Sequence, residues 1–382
     1  MSLKKITILG STGSVGKAAL EIIRKHPQEF MLEGISAAKN KECLINQIRE
    51  FKPRYAVLAV NSGEEIKLEA APTKLMFGED ALCELAEDPA ADIVLIAIVG
   101  VAALLPAYKA ILAGKTILLA NKEALVCAGE ILTELAKKTG AKLLPVDSEH
   151  SAIYQLLQSK LEDTSFDQNL RQITLTASGG PFLNKEISEL ENVTPEDAVK
   201  HPRWNMGAKI SIDSATMVNK ALEIAEARWL FNVSPAKIRV IVHPESIVHG
   251  LVEFIDGTFF AHLSVADMKG PIAYALGLMQ NRFSNTMRPL KLEEVRTLNF
   301  LELDRLKFRA PDIMFKCLES GGAAPAVFNC ANDIAVDLFI ARKIKFPQIV
   351  ETIENYLTKY GSVKYASIDD IISINNEMRN RF

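Results

Sequence analysis

Lys5-Ile6-Thr7-Ile8-Leu9 runs straight into Gly10-Ser11-Thr12-Gly13-Ser14-Val15-Gly16, and then into a helical stretch from Lys17 to Lys25. A short apolar strand, a glycine turn and a helix, in that order, make a dinucleotide-binding fingerprint. Gly10 permits the tight turn, Gly13 lets the backbone approach a pyrophosphate, and Gly16 lets the helix pack close to the strand. The N–H groups at the helix start then face the phosphates. The glycines recur at three-residue intervals instead of the G-x-G-x-x-G spacing, and such a pattern alone also suits a plain strand-to-helix connection. The remainder of the first half favours the cofactor.

Strands are expected at Met31–Ser36, Tyr55–Val60, Asp92–Ile98, Thr116–Leu119 and Lys142–Val146, with helical stretches between most of them. This alternation predicts an α/β fold built on a parallel, doubly wound sheet. After the second strand an NAD site usually places an acid for the ribose 2′-hydroxyl, but here the chain reads Ala37-Ala38-Lys39-Asn40. A cation there favours the 2′-phosphate of NADP over a role as a solvent-facing loop lysine. Ala120-Asn121-Lys122-Glu123 stands at the carboxyl edge where open sheets bind ligands. It suits contact with the nicotinamide half of the cofactor, although an Asn-Lys-Glu turn can also simply cap the next helix.

The first half ends at Leu144-Pro145-Val146-Asp147-Ser148-Glu149-His150. In an extended segment Asp147 and Glu149 share a face, so two hard oxygen ligands would aim at one point, as suits Mg²⁺ or Mn²⁺. Taken alone, the pair reads more readily as two acids on a solvated loop, because Asp-x-Glu is a common pairing. Beyond it, Ile173 to Ala177 is a strand stopping in Ser178-Gly179-Gly180, small residues that can cradle an anion. Lys200 to Gly207, with His201, Trp204 and Met206, reads as a lid loop. A helix is expected from about Ala215 to Phe231, with Ser214 as N-cap and Val218, Leu222, Ala225 and Trp229 as its buried stripe. Asn219 and Glu223 lie one turn apart off that stripe. With Lys220 they form either a ligand set or an ordinary polar face.

Val248–Phe254 and Thr258–Ser264 flank Ile255-Asp256-Gly257 and predict a hairpin, which with Gln172–Thr176 and Ile238–Val242 builds a mixed sheet. His249 and His262 read by default as satisfied core histidines. Asn281 to Asn299 reads as a connecting arm, and Pro311–Glu319, Ala323–Arg342, Phe346–Tyr360 and Ile368–Arg379 as a small helical bundle.

A chain of 382 residues exceeds one typical core, so two or three domains are expected. A net charge of -3 with 24% charged residues and no basic patch argues against a nucleic-acid partner. Five scattered cysteines with no Cys-x-x-Cys pair argue against a disulfide framework or zinc site and for a reducing compartment. The first strand starts too early for a signal or transit peptide, and no apolar run approaches the roughly eighteen residues of a membrane span. A cytoplasmic location is expected.

The motifs at 10–16, 120–123, 145–150, 176–182 (Thr-Ala-Ser-Gly-Gly-Pro-Phe), 201–207 (His-Pro-Arg-Trp-Asn-Met-Gly), 213–220 (Asp-Ser-Ala-Thr-Met-Val-Asn-Lys) and 243–246 (His-Pro-Glu-Ser) resemble, in order, those of the 1-deoxy-D-xylulose 5-phosphate reductoisomerase family. The resemblance implies a typically homodimeric enzyme that rearranges a phosphorylated sugar, 1-deoxy-D-xylulose 5-phosphate, and reduces the product with NADPH to 2-C-methyl-D-erythritol 4-phosphate for isoprenoid precursors.

Residue by residue, it implies Asp147, Glu149 and Glu223 as ligands of Mg²⁺ or Mn²⁺, with Co²⁺ a further candidate. Ser178, Ser214, Asn219 and Lys220 would hold the substrate phosphate, with His201 closing over it. Ser148 would hold a substrate hydroxyl, Lys122 would contact substrate beside the metal, and Trp204 and Met206 would form the lid. Lys122, Glu149, His201 and Trp204 make up the implied catalytic group. Ser11, Thr12, Gly13, Ser14, Val15, Ala38, Lys39, Asn40, Asn121, Glu123 and Gly207 would bind NADPH. Ala38 stands where a glycine is common, and Ser264-Val265-Ala266 where glycine and proline are usual; both bear on local loop shape. The expected organisation is a cofactor domain at 1–146, a catalytic and dimerisation domain at 147–280, an arm at 281–299 and a helical domain at 300–382.

Overall fold

A computed structural model describes residues 3–60, 72–158, 166–200, 207–278 and 281–380. The chain divides into two compact units. One comprises Met1–Ala124, Glu130–Asp147 and Met268–Met287, and the other Leu125–Gly129, Ser148–Asp267 and Arg288–Phe382.

The first unit is built on seven strands: β1 (Lys4–Leu9), β2 (Phe30–Ala37), β3 (Tyr55–Leu58), β4 (Lys74–Phe77), β5 (Ile93–Ile96), β6 (Thr116–Leu119) and β7 (Lys142–Pro145). All are parallel, in the order β4-β3-β2-β1-β5-β6-β7. β5 is buried at all four positions, as unbroken apolar strands are when both sheet faces are covered. The pattern predicted six of these strands. β4 is the seventh, and its Lys-Leu-Met-Phe is half exposed at the sheet edge, so no apolar run announces it.

Strand order reverses beside β1, because the chain builds outward through β2, β3 and β4 before β5 pairs with the other side of β1. The crevice beyond that point is where open α/β sheets bind ligands. Gly10 sits there with φ +90°, and a Cβ on it would lie 2.5 Å from the carbonyl oxygen of Ala97. The helix Ser14–Lys25 leaves the turn so closely that a Cβ on Gly16 would come within 2.4 Å of the Gly10 carbonyl oxygen. The helix Lys269–Leu276, distant in sequence, packs on Ser14–Lys25 and is tied to it by Lys269 and Glu21 at 2.8 Å.

The second unit holds a mixed sheet of β8 (Leu170–Ala177), β9 (Ile238–Val242), β10 (Val248–Phe254) and β11 (Phe259–Leu263), ordered β11-β10-β8-β9. β8 pairs in parallel with β9 and antiparallel with β10, and β10 and β11 form the expected hairpin. Asp256 accepts from the Thr258 N–H at 2.9 Å to close the turn. The helix Ser148–Leu157 lies on β10, where Gly250 makes room: a Cβ there would sit 2.9 Å from Ile153 and 3.3 Å from the carbonyl oxygen of Glu149.

The helix expected over 215–231 runs from Val218 to Leu230, and a separate helix, Ala208–Ala215, precedes it, the two parted at Met217 with φ +61°. Thr216 explains the break. Its hydroxyl bonds back to the carbonyls of Ile212 and Asp213 and accepts from the Val218 N–H, offering the backbone a local alternative to helix. Ser214 therefore lies in the last turn of the first helix and is not the N-cap of the second.

Four closing helices, Ala310–Ser320, Ala324–Ile340, Gln348–Tyr360 and Ile368–Asn380, match the expected bundle within a residue or two at most ends. Ala324–Ile340 is buried on nearly every side and shares one core with Leu175, Leu222 and Val240 of the sheet layer. A helix so placed must satisfy its own polar groups. Asn332 does so by donating to Asp213 at 2.8 Å.

Candidate active site

In the first unit Thr12, Gly13, Ser14 and Val15 form the outward-facing part of the glycine turn. A Cβ on Gly13 would meet nothing nearer than 3.5 Å, so this residue leaves open the space a phosphate needs. The helix start has no side-chain cap, which leaves its first-turn N–H groups for an anion. Ser11 behaves differently. It is fully buried, and its hydroxyl donates to Gln47 at 2.6 Å and lies 3.1 Å from the Ser36 carbonyl oxygen, fastening the turn from beneath. Ala38, Lys39 and Asn40 are exposed just past β2, and Asn40 caps the next helix by accepting from the Cys43 N–H.

Asn121 and Glu123 are buried and bind one another at 3.0 Å. Asn121 also donates to the carbonyls of Ile98 and Gly100 and caps its own helix through the Ala124 N–H. Glu123 accepts from the Gly100 N–H at 3.1 Å. The capping alternative is thus realised at Asn121, while Lys122 faces the other way and pairs with Asp147.

Asp147 belongs to the first unit and Ser148 to the second. β7 stops at Pro145 and a helix starts at Ser148, so Glu149 stands in a helical first turn. The expectation that Asp147 and Glu149 share one face of an extended segment fails for this reason. Convergence comes from elsewhere: Glu149 and Glu223 bring carboxylate oxygens within 4.8 Å of each other. The Lys220 ammonium lies between them and donates to Glu149 at 2.7 Å, to Glu223 at 2.5 Å and to the Thr176 carbonyl at 2.5 Å. Asn219 donates to the second Glu223 oxygen at 2.6 Å, and Ser148 to Glu149 at 2.6 Å.

Lys220 is 3% exposed and Glu223 1%, which disposes of the polar-face alternative. Burial alone would pull the Lys220 pKa down, but the two carboxylates outweigh it and hold the value above that of an ordinary lysine. Two hard carboxylates gathered round a cation are a donor set that suits a divalent ion in the ammonium's place.

Ser178 ends β8, and its hydroxyl accepts from the Gly180 N–H at 3.3 Å. Gly180 has φ +69°, and a Cβ on it would lie 2.9 Å from the carbonyl oxygen of Ser214, so this turn packs directly on the helix end that carries Ser214. Gly207 is exposed at the start of that helix, whereas His201, Trp204 and Met206 lie outside the described residues. His249 is a buried core histidine as expected, with a pKa lowered by burial and Nε2 3.3 Å from the Ser264 carbonyl.

The sequence assigned no role to His150 and Glu226, which are both buried. His150 donates through Nε2 to the Glu223 carbonyl at 2.9 Å, and its Nδ1 lies 3.3 Å from Glu226. Their positions held a signal, because His150 follows Glu149 directly and Glu226 follows Glu223 by one helical turn.

A switch-point glycine turn in one unit and a carboxylate–ammonium cluster in the other define a nucleotide-dependent oxidoreductase with a separate substrate-handling unit. The comparisons with known proteins specify it further. Models described as 1-deoxy-D-xylulose 5-phosphate reductoisomerase and as its C-terminal domains match residues 6–129, 143–231 and 263–381. The reductoisomerase of Geobacillus sp. (strain WCH70) is 46% identical over 379 residues, covering 99% of this chain and 98% of that one. That of Nitrosospira multiformis is 42% identical over 384 residues, covering 99% and 97%.

A crystal structure of DOX-P reductoisomerase in complex with NADPH, fosmidomycin and magnesium superposes with a TM-score of 0.93 at 38% identity, covering 99% of this chain and 97% of that one. The Zymomonas mobilis enzyme in complex with NADPH gives 0.91 at 36%, covering 99% and 98%. The chain belongs to the 1-deoxy-D-xylulose 5-phosphate reductoisomerase family.

Proposed function

We propose that this protein rearranges 1-deoxy-D-xylulose 5-phosphate and reduces the resulting aldehyde with NADPH, giving 2-C-methyl-D-erythritol 4-phosphate for isoprenoid precursors in a reaction that needs a divalent metal. The observation that carries this reading is the buried Glu149–Lys220–Glu223 cluster, which a simple dehydrogenase of a phosphorylated metabolite has no use for.

NADPH would lie along the glycine turn, with its pyrophosphate over Gly13 at the uncapped helix start and its 2′-phosphate near Lys39. Asp147, Glu149 and Glu223 would hold the metal, which when bound supplies Lewis-acid polarisation of the substrate oxygens. Lys122, paired with Asp147, sets a positive charge beside those oxygens. Ser148 positions a substrate hydroxyl, and Ser178, Ser214, Asn219 and Lys220 anchor the phosphate. His201, Trp204 and Met206 keep the lid role that the family resemblance gives them, excluding water before hydride transfer.

By this reading residues 1–146 serve the cofactor and 147–280 the chemistry and dimer contact, except that Met268–Met287 belongs with the first unit, and 300–382 support the cleft beyond the arm at 281–299. Phe259, Phe260 and Leu263 are exposed on β11, the last strand of its sheet, and an exposed apolar edge suits pairing with a second copy. No described helix is long and apolar enough to cross a membrane. The five free cysteines fit a reducing cytoplasm.

Glu223→Gln tests the site, since it keeps size but removes the charge and one of the two acceptor oxygens. Mn²⁺ binding should weaken and turnover fall by orders of magnitude, while NADPH binding stays unchanged. Parental Mn²⁺ affinity in calorimetry would remove Glu223 from the metal site.

A further inference from the structure

The groups assigned to the phosphate and those assigned to the metal are bonded to each other. An ammonium has three N–H donors, and those of Lys220 go to Glu149, Glu223 and the Thr176 carbonyl. Asn219 spends an amide donor on the remaining oxygen of Glu223. Both carboxylate oxygens of Glu223 are therefore covered by phosphate-binding side chains, and Lys220 cannot grip a phosphate without releasing at least one carboxylate or Thr176.

Helix geometry sets up this overlap. Asn219 and Lys220 stand four and three residues before Glu223, one turn away on the same helix. Thr176 lies two residues before Ser178 on β8, so the ammonium already rests on the strand that ends at the phosphate turn.

We propose that Lys220 acts as an internal stand-in for the metal, and that metal entry hands Lys220 and Asn219 over to the substrate phosphate, making the two ligands bind cooperatively. This rests on the reading of Glu149 and Glu223 as metal ligands and of Asn219 and Lys220 as phosphate ligands. The physical reason is competition between cations. A divalent ion arriving while the ammonium stays in place meets like charge and occupied oxygens; with the ammonium withdrawn it meets two carboxylates whose charge is no longer neutralised. A phosphate draws the ammonium away and so favours the metal, and by linkage the metal favours the phosphate by the same factor.

The test is calorimetric titration of the full-length protein with Mn²⁺, without NADPH, in the absence and presence of inorganic phosphate. In the parent, phosphate should tighten Mn²⁺ binding about ten-fold, a usual strength for coupled sites. Lys220→Met should bind Mn²⁺ about ten-fold more tightly than the parent without phosphate, and phosphate should then add nothing. Asn219→Ala keeps Lys220 but frees one Glu223 oxygen, so it should show a smaller gain in Mn²⁺ affinity; it decides the matter if Lys220→Met does not fold.

Two failures are distinguishable. Parental Mn²⁺ affinity in Glu223→Gln would overturn the metal-site reading itself. Loss of Mn²⁺ in Glu223→Gln, combined with unchanged or weaker Mn²⁺ binding in the folded Lys220→Met or Asn219→Ala variant, would overturn the hand-over and leave the site standing.

Discussion

Lys39 stands exposed two residues beyond β2, where an NAD-specific site would place an acid for the ribose. Removing its charge should cost affinity for the 2′-phosphate and nothing else. Lys39→Ala is therefore expected to narrow the preference for NADPH over NADH about ten-fold or more, the weight of one charge-assisted hydrogen bond of roughly 1.5–3 kcal/mol. Comparing kcat/KM for the two cofactors checks this, and an unchanged ratio would return Lys39 to the role of a loop lysine.

Among single residues the glycine turn could be read from the sequence, because Gly10 and Gly16 each stand where a Cβ would clash, as the tight turn and the close helix require. Burial could not be read. The spacing of Asn219, Lys220 and Glu223 on a helix is the same whether they face solvent or a core, and only the layers on both sides of Val218–Leu230 decide that Lys220 and Glu223 are inside.

Among the elements, Ala208–Ala215 depends on the C-terminal helices. Lys209 pairs with Asp213 at 2.9 Å and with Asp333 at 3.2 Å, Arg379 pairs with Asp333 at 2.9 Å, and Asn332 holds the other oxygen of Asp213. Burial raises the Asp333 pKa even though Lys209 and Arg379 oppose it. Asp213 precedes Ser214 directly, so this network fixes the helix end that the phosphate reading requires.

Asn332→Leu should destabilise the protein by about 1–3 kcal/mol, as expected when a buried carboxylate loses a donor. It should also raise KM for the phosphorylated substrate while leaving NADPH affinity unchanged. Thermal unfolding and steady-state kinetics check both parts, and a lowered Tm with parental KM would make the network structural only. The break at Met217 was not legible because Thr216, whose bonds decide it, looks in sequence like any mid-helix threonine.

For the whole molecule, the βα alternation and the Asp-Gly hairpin gave away two architectures, but nothing local shows that Lys269–Leu276 returns to the first unit. Its tie to Glu21 spans 248 positions. The buried thiols set a limit on alkaline stability. Burial pushes Cys317 and Cys330 from an ordinary 9.0 up to about 12. A raised folded pKa means that their contribution is complete below pH 9.0 and is lost as pH climbs toward about 12, because the unfolded chain releases these protons first. Each thiol should add a slope of about 1.4 kcal/mol per pH unit in that window. Denaturant unfolding across it should be less pH-dependent in the Cys317→Ala/Cys330→Ala double variant than in the parent, and equal slopes would contradict the assignment.

The metal-dependent reduction is tested most directly by NADPH absorbance followed in the presence of 1-deoxy-D-xylulose 5-phosphate. Absorbance is expected to fall when Mg²⁺ or Mn²⁺ is present, to stop falling on addition of a chelator, and to resume its fall when excess metal is restored. Oxidation of NADPH that continues undiminished in chelator, or none with this substrate under any metal, would contradict it.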